Sequence, residues 1–454
     1  MSFYITTAIS YVNAQPHLGH AYEAIATDVI ARHMRQRGRD VFFLTGTDEH
    51  GEPVADAAHA QGVEPQELAD RNAERFKALM PRLEVSNDFF IRTTDAQHQA
   101  KVQEVLTRVH DNGHTYKGLY EGWYCPRCAD FKVENEILDG SSGLQDVSLT
   151  RARLQWGVPV PWDPGHVFYV WFDALLNYYT ALSYARPGTD LTDRFWPATY
   201  HIIGKDILKF HTVFWPALLI AAELPIPRHV FVHGFLLGAD GRKMSKSLGN
   251  VLDPFEVLDQ YGPDALRFYL MRDVAFGADG AVGIEAVRAR YEAELANEYG
   301  NLASRTIAMV RRYRDGRVPD TGTDPELARD FAGLGAQIAA LMDVAEPTQA
   351  LELIWQRVRR CNRYVEETAP WQLARDAGAA AVLDRALASL GEALRVLTVL
   401  LHPYMPASTE RCMAALVAGA PPDGAAFAFA RGEFAGRCGG WAVDELAPLF
   451  PKQT

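Results

Sequence analysis

The sequence predicts an α/β protein with a doubly wound parallel sheet in its first half and a helical bundle in its second. Short apolar runs alternate with amphipathic stretches through about residue 250, and apolar runs typical of strands stop after about residue 285. Continuous apolar runs are typical of strands buried on both faces, and strand–helix alternation favours a parallel sheet. Ligands of such sheets bind at the carboxyl ends of the strands.

The predicted elements follow from the spacing of apolar residues. Strands are expected at 3–9, 40–45, 166–171, 200–203 and 230–233, with helices at 21–37 and 65–80. In the second half, 285–314, 351–368 and 379–401 carry apolar residues at helical spacing. One such stripe contains Leu351, Ile354, Trp355, Val358 and Val365.

Composition narrows the class of protein. The 454 residues suggest roughly three domains, and 48% hydrophobic with 22% charged residues is ordinary globular composition. The net charge of −12 disfavours DNA binding over the whole surface, so a nucleic-acid site must be a local basic patch. The N-terminus lacks a basic signal-peptide region, and Pro216 interrupts the longest apolar stretch. We therefore expect a cytoplasmic protein that binds neither DNA nor a membrane.

Residues 116–164 break the strand–helix pattern. They contain the close pair Cys125 and Cys128, a Gly/Ser-rich stretch and several prolines. A lone Cys-x-x-Cys pair in a reduced compartment suggests metal or redox chemistry. The sequence therefore predicts five regions: a first sheet half at 1–115, an insertion at 116–164, a second sheet half at 165–250, a linker at 251–290 and a helical domain at 291–454.

Two motifs follow strands of the predicted sheet. His17, Gly19 and His20 lie where the loop after the first strand enters a helix, and helix N-termini attract anions. Lys243 and Lys246 lie in a loop after the strand at 230–233, where two lysines suit a polyphosphate. Each motif alone is weak, because surface histidines and solvated lysines are common. Their joint occurrence on one sheet indicates a nucleotide site.

The motifs and further strings together resemble methionyl-tRNA synthetases, of class I. The strings are Thr-Gly-Thr-Asp-Glu-His-Gly at 45–51, Tyr-Val-Trp-Phe-Asp-Ala at 169–174, Ile-Gly-Lys-Asp at 203–206, Phe-His at 210–211 and Val-His-Gly-Phe at 232–235. The resemblance implies a Rossmann-like catalytic domain split by an insertion, followed by a helical anticodon-binding domain. It further implies ATP, Mg²⁺, methionine and tRNA as reactants, with an acyl-adenylate formed first.

The resemblance also assigns roles to individual residues. The methionine pocket comprises Ile9, Tyr11, Asp48, Trp171, Ala174, Tyr178, Ile207, Phe210 and His211, in which Asp48 pairs with the substrate ammonium. The nucleotide site comprises His17, Gly19, His20, Glu23, Gly204, Asp206 and His233. Catalysis is assigned to His17, His20, Lys243 and Lys246, the two lysines stabilising the pyrophosphate. The anticodon is contacted by Asn301, Arg305, Pro370 and Trp371, where a buried tryptophan and a core asparagine are the plain alternatives.

The insertion departs from the family pattern. The family usually has a much longer insertion that carries a second pair of zinc ligands, whereas no Cys or His lies at 129–155 here. Structural zinc takes four ligands. Cys125 and Cys128 supply two, and Asp130, Glu134 or Asp139 would complete only a poor site. We therefore expect no zinc.

Three functions remain open from the sequence. The first is a compact, monomeric methionine–tRNA ligase. The second is a paralogue that transfers the aminoacyl group to a small amine or hydroxyl, which the short insertion favours. The third is a non-catalytic tRNA-binding protein, which the paired histidines and lysines disfavour.

Overall fold

The computed structural model describes residues 2–118, 123–125, 130–132, 146–244, 252–418 and 424–452. The chain forms two compact units. The first comprises Met1–Thr27, Val41–Pro81 and Val85–Val232, and the second comprises Asp28–Asp40, Arg82–Glu84 and His233–Thr454. Both Cys128 and Lys246 lie outside the described residues.

A six-stranded sheet forms the centre of the first unit. Its strands are β1 (Ser2–Thr6), β2 (Ser10–Tyr11), β3 (Asp40–Asp48), β4 (Phe89–Arg92), β9 (Tyr200–Gly204) and β10 (His229–His233). The order is β10-β9-β1-β3-β2, and β4 also pairs with β3. Strand β1 pairs with β9 in parallel, as do β2 with β3 and β3 with β4. The expected parallel sheet is confirmed, although neither β2 nor β4 was predicted.

Helices connect the strands of this sheet. They are α1 (Leu18–Gln36), α2 (Glu52–Gln61), α3 (Pro65–Arg82), α4 (Ala96–Asp111), α5 (Val170–Tyr184), α6 (Thr192–Phe195) and α7 (Trp215–Ala221). A 3₁₀ turn at Lys205–Ile207 and a π-helical turn at Phe210–Phe214 precede α7. The core combines buried residues of the sheet with those of α4, α5 and α7, including Tyr4, Phe42, Leu106, Leu176 and Leu219.

The strand predicted at 166–171 is largely wrong. Only Val167–Phe168 (β8) is extended, and it pairs with Thr150–Arg151 (β7) rather than with the central sheet. Helix α5 already begins at Val170. Periodicity does not separate a short buried strand from the start of a buried helix, because both present an uninterrupted apolar run. A second small pair, Trp123–Cys125 (β5) with Asp130–Lys132 (β6), is antiparallel.

The second unit is mainly helical. Strands β11 (Leu236–Gly238) and β12 (Gly280–Val282) form a parallel pair. The helices are α8 (Pro254–Tyr261), α9 (Pro263–Asp273), α10 (Ile284–Arg290), α11 (Asn301–Tyr313), α12 (Pro325–Phe331), α13 (Leu334–Met342), α14 (Pro347–Thr368), α15 (Pro370–Leu373), α16 (Ala380–Leu401) and α17 (Pro406–Leu416).

The helices predicted in this half are present. The stretch predicted at 285–314 is helical but not uniform, because a π-helical segment, Tyr291–Gly300, joins α10 to α11. Helix α14 buries the predicted apolar stripe, with Trp355 fully enclosed. Proline at the first position of α14 is favourable because that residue needs no helical N–H partner. No helix in the described part of the chain is long and apolar enough to cross a membrane.

Candidate active site

Strand β3 ends in a buried carboxylate. Asp48 lies opposite Tyr11 of β2 and is only 2% exposed. Its Oδ1 atom has no hydrogen-bond partner among the described residues. Burial raises the pKa of Asp48 well above its usual range, and the nearby charges of Asp173 and Glu49 raise it further, although the Tyr11 hydroxyl acts in the opposite direction. An incoming cation would relieve this unfavourable environment.

Aromatic rings form one wall beside this strand end. The rings of Trp171 and Phe210 are stacked with centroids 3.8 Å apart, and Tyr11 meets Trp171 edge to face at 6.3 Å. Helix α5 places Trp171, Ala174 and Tyr178 on one face, three and four residues apart. The indole Nε1 of Trp171 is buried and has no hydrogen-bond partner within the described ranges. Flat aromatic surfaces of this kind suit a polarizable thioether.

Tyr178 and His211 form a fixed hydrogen-bonded pair. His211 Nδ1 lies 3.0 Å from the backbone oxygen of Ile207 and donates to it, so Nε2 accepts from the Tyr178 hydroxyl at 2.8 Å. Burial lowers the pKa of His211 to about 4, and the ring is therefore neutral at neutral pH. Ile9 packs, partly buried, against the core cluster that contains Tyr178. The residues predicted for the methionine pocket thus lie in one region of the first unit.

The histidines at the start of α1 are stacked on each other. Their ring centroids are 3.8 Å apart, the backbone N–H of His17 donates to His20 Nδ1 at 3.1 Å, and that of Gly19 donates to His17 Nδ1 at 3.1 Å. A Cβ on Gly19 would lie 3.0 Å from His17 Cε1, so glycine leaves room for this arrangement. Loss of solvent lowers the pKa of both rings, which favours neutral imidazoles.

The other predicted nucleotide residues of the first unit follow neighbouring strands. Glu23 accepts a hydrogen bond of 2.8 Å from the backbone N–H of Ala8. Gly204 ends β9, and Asp206 lies in the turn that follows it. The charge of Asp206 acts on His17 and opposes the lowering of its pKa. These residues therefore surround the carboxyl ends of adjacent strands.

Two further predicted residues belong to the second unit. His233 ends β10, is buried, and its Nδ1 donates to the backbone oxygen of Gly234 at 2.9 Å. Lys243 Nζ lies 5.5 Å from the centroid of the Phe235 ring. Lys246, predicted to act with Lys243, falls outside the described residues.

The residues predicted to contact an anticodon lie on two helices of the second unit, α11 and α15, which adjoin through Arg305 and Trp371. Asn301 and Arg305 lie one turn apart on α11. The Arg305 guanidinium is 5.5 Å from the Trp371 ring centroid and 2.9 Å from Glu366. Pro370 is buried at the first position of α15. Trp371 is therefore half-buried beside a cation, rather than enclosed in the core.

The predicted metal residues are only partly described. Cys125 ends strand β5, and Cys128 lies beyond the described residues. Within the ranges that the structure covers, no three His, Cys, Asp or Glu side chains are grouped to hold a metal ion.

Sequence reasoning missed a buried polar network next to Asp48. Asp173 accepts from His50 Nδ1 at 2.7 Å and from His98 Nε2 at 2.8 Å. Burial alone would raise the pKa of Asp173, but the two histidines lower it to about 2. His50 and Asp173 lie within two of the sequence strings that resemble the family, at 45–51 and 169–174, and this is the one sequence feature that could have indicated them. Nothing in the sequence marks His98.

A second missed group fixes the segment after β3. Glu49 is fully buried and receives two hydrogen bonds from Arg92, at 2.7 and 2.8 Å. The Trp156 indole donates to the backbone oxygen of Glu49 at 2.6 Å. Gly51 has a φ of 92°, and a Cβ there would lie 3.1 Å from Val170. This positive φ and the close approach both favour glycine at the position.

Comparison with known proteins identifies the family. A model described as tRNA synthetases class I (M) matches residues 3–141 and 132–307. Methionine–tRNA ligase of Caldanaerobacter subterraneus subsp. tengcongensis is 39% identical over 466 residues, covering 90% of this chain and 73% of that protein. The same enzyme of Brucella melitensis is 40% identical over 512 residues, covering 99% of this chain and 98% of that protein.

A solved structure gives the same result. Mycobacterium tuberculosis methionyl-tRNA synthetase in complex with methionyl-adenylate has a TM-score of 0.93 and 37% identity, with 99% of this chain and 100% of that chain covered. The chain therefore belongs to the class I tRNA synthetases of the methionyl type. The two segments matched by the family model overlap at 132–141, within the stretch where the sequence predicts a shortened insertion.

Proposed function

We propose that this protein activates methionine with ATP and transfers the methionyl group to tRNA. The observation that carries the proposal is the buried Asp48 carboxylate, with an unpartnered oxygen, beside the stacked Trp171 and Phe210 rings. An amino acid with an apolar, polarizable side chain satisfies both features. The similarity of the chain to methionine–tRNA ligases over nearly its whole length supports methionine as that amino acid.

In the first step, Asp48 would hold the ammonium group of methionine and the aromatic wall its thioether. Tyr178, fixed by His211, closes the pocket with a neutral hydroxyl. Ile9, Tyr11, Ala174 and Ile207 complete the lining in this proposal. The hydrogen bonds of His211 to Ile207 and Tyr178 hold the Tyr178 hydroxyl in one orientation before methionine binds.

The methionine carboxylate would then attack the α-phosphorus of ATP. A bond forms from a carboxylate oxygen to that phosphorus, and the bond to the bridging oxygen of pyrophosphate breaks. His17 and His20 would donate hydrogen bonds to phosphate oxygens, while Lys243, Lys246 and Mg²⁺ would offset the charge of the leaving pyrophosphate. Gly19, Glu23, Gly204, Asp206 and His233 would position the nucleotide.

In the second step, a terminal hydroxyl of tRNA would attack the methionyl carbonyl and release AMP. We propose that Asn301, Arg305, Pro370 and Trp371 recognise the anticodon. The support is the pairing of Arg305 with the half-buried Trp371 ring, one helical turn from the exposed Asn301. An aromatic face next to hydrogen-bonding side chains is the combination that binds unstacked bases. We also propose a cytoplasmic location, where such a substrate is found.

We propose further that the Cys125–Cys128 segment holds no stoichiometric zinc. The support is the sequence, which offers two thiols and no other Cys or His at 129–155. Elemental analysis of protein purified without chelator tests this proposal. One zinc per chain would contradict it and would direct attention to ligands distant in the sequence.

Two assays on the wild-type protein test the function. With methionine, ATP and Mg²⁺, labelled pyrophosphate should exchange into ATP, and adding tRNA should yield methionyl-tRNA. Exchange with another amino acid but not with methionine would contradict the substrate. Exchange without charging of any methionine tRNA would instead support transfer to a small amine or hydroxyl.

A further inference from the structure

Three buried carboxylates lie at or near the end of β3, and they differ in their partners. Glu49 is held by Arg92. Asp173 is held by His50 and His98. Asp48 alone keeps an oxygen without a hydrogen-bond partner among the described residues. The negative charges of Glu49 and Asp173 are therefore offset by neighbouring groups, whereas Asp48 keeps an oxygen that can bind a cation.

Thr180 contacts the other ring nitrogen of His98. The Thr180 Oγ1 atom is 2.7 Å from His98 Nδ1 and 3.4 Å from the backbone oxygen of Asn177. His98 therefore has a hydrogen-bond partner at each ring nitrogen, Thr180 at Nδ1 and Asp173 at Nε2.

We propose that Asp173, held by His50 and His98, is a positioning residue that sets how strongly Asp48 attracts the ammonium group of the amino-acid substrate. The proposal rests on the proposed function, because Asp48 must first be the ammonium site. Asp173 does not contact the ammonium itself in this account. It acts through its charge, and through His50, which stands two residues after Asp48 and hydrogen-bonds to Asp173.

The charge of Asp173 has two consequences for the free site. It stabilises a cation at Asp48, and it also stabilises a proton there, because it contributes to the raised pKa of Asp48. Glu49, the backbone N–H of His50 and the Tyr11 hydroxyl also act on Asp48, and the Asp48 charge in turn acts on the Tyr178 hydroxyl. A proton and the substrate ammonium therefore compete. As the pH falls through the raised pKa, methionine should bind more weakly, and its binding should release a proton to solvent.

Three ligands separate this electrostatic role from a structural one. Methionine and methioninol both carry an ammonium group, whereas 4-(methylthio)butanoate keeps the carboxylate and thioether but has no amine. In Asp173→Asn, the Kd of methionine and of methioninol at pH 8 should rise by about tenfold, the effect of about one pKa unit. The Kd of 4-(methylthio)butanoate should stay the same or fall.

The pH dependence provides a second measurement. The midpoint at which methionine affinity declines on acidification should move to lower pH in Asp173→Asn, because loss of the neighbouring charge lets Asp48 ionise more readily. Thr180→Ser keeps the hydroxyl next to His98 and is the matched control, which should leave all three affinities unchanged. An equal loss for all three ligands, or no loss for any, would overturn the proposal.

If Asp173→Asn does not fold, the proposal can be tested on the wild-type protein by measuring proton release on ligand binding. Calorimetry in two buffers of different ionisation enthalpy counts the protons released on binding. Methionine and methioninol should release protons near the midpoint pH, and 4-(methylthio)butanoate should release none. Proton release that is equal for all three ligands would contradict the inference. A wild-type protein that binds none of them would instead contradict the proposed function.

Discussion

The two units hold their candidate functional side chains in different ways. In the first unit, Asp48, Tyr178 and His211 are buried, and this burial is the main cause of the shifts in their pKa values. In the second unit, Asn301 is exposed, and Arg305 forms an ion pair with the exposed Glu366. A small substrate needs a desolvated site that exists before it binds. A long nucleic acid can instead bind exposed side chains, and it can displace the surface partners that those side chains have in the free protein.

Among changes that test this difference between the units, removing the charge of Asp48 should have the largest effect on ligand affinity. In Asp48→Asn, methionine affinity should fall by about 30-fold to several thousand-fold, since truncating one partner of a buried charge pair costs about 2–5 kcal/mol. Isothermal titration with methionine and with ATP measures the two affinities separately. ATP binding should be nearly unchanged, and an equal loss for both ligands would indicate a folding defect.

The nucleotide residues should give the next largest effect. His20→Ala and Lys246→Ala should each slow pyrophosphate exchange by about 100-fold, as loss of a preorganised donor to developing charge does. His59→Ala, at an exposed histidine of α2, is the matched control and should exchange at the wild-type rate. Full activity of His20→Ala would remove the stacked histidines from the proposed mechanism.

Truncating Trp371 should impair tRNA charging, assigned to the second unit, without impairing amino-acid activation, assigned to the first. Loss of one base–aromatic stack costs about 1–3 kcal/mol, so Trp371→Ala should lower tRNA charging by roughly 10- to 100-fold. Pyrophosphate exchange without tRNA should not change. Trp371→Phe retains an aromatic face and should recover part of the charging rate. A loss of exchange in Trp371→Ala would mean that the two units are not functionally separable.

The smallest effect is expected at the ion pair of Arg305. Glu366→Gln removes a carboxylate that competes with nucleic acid for the guanidinium, and exposed pairs are worth about 0–1 kcal/mol. The KM for tRNA should therefore fall by about threefold. Glu367→Gln is the control, because Glu367 pairs with Arg360 instead. A higher KM in Glu366→Gln alone would show that Glu366 orients Arg305 for binding.

The sequence predicts the sheet and its strand-end residues well, because both depend on local periodicity and on the order of elements. It fails at 166–171, where an aromatic run fits either a strand or a buried helix start. It also misses the hydrogen bond between His98 and Asp173, which are 75 residues apart and meet only when α4 packs against α5. Tertiary contacts of this kind leave no spacing pattern in the sequence.

The π-helical segment Tyr291–Gly300 determines the direction in which the following helix faces. Each residue of an α-helix turns by about 100° around the axis, and the wider π winding turns each residue by less. Asn301 and Arg305 consequently face a direction, relative to Ile284–Arg290, that a uniform α-helix of the same length would not give. If this segment were wound as an α-helix, both side chains would point in another direction although neither residue had changed. The segment therefore sets the orientation of Asn301 and Arg305.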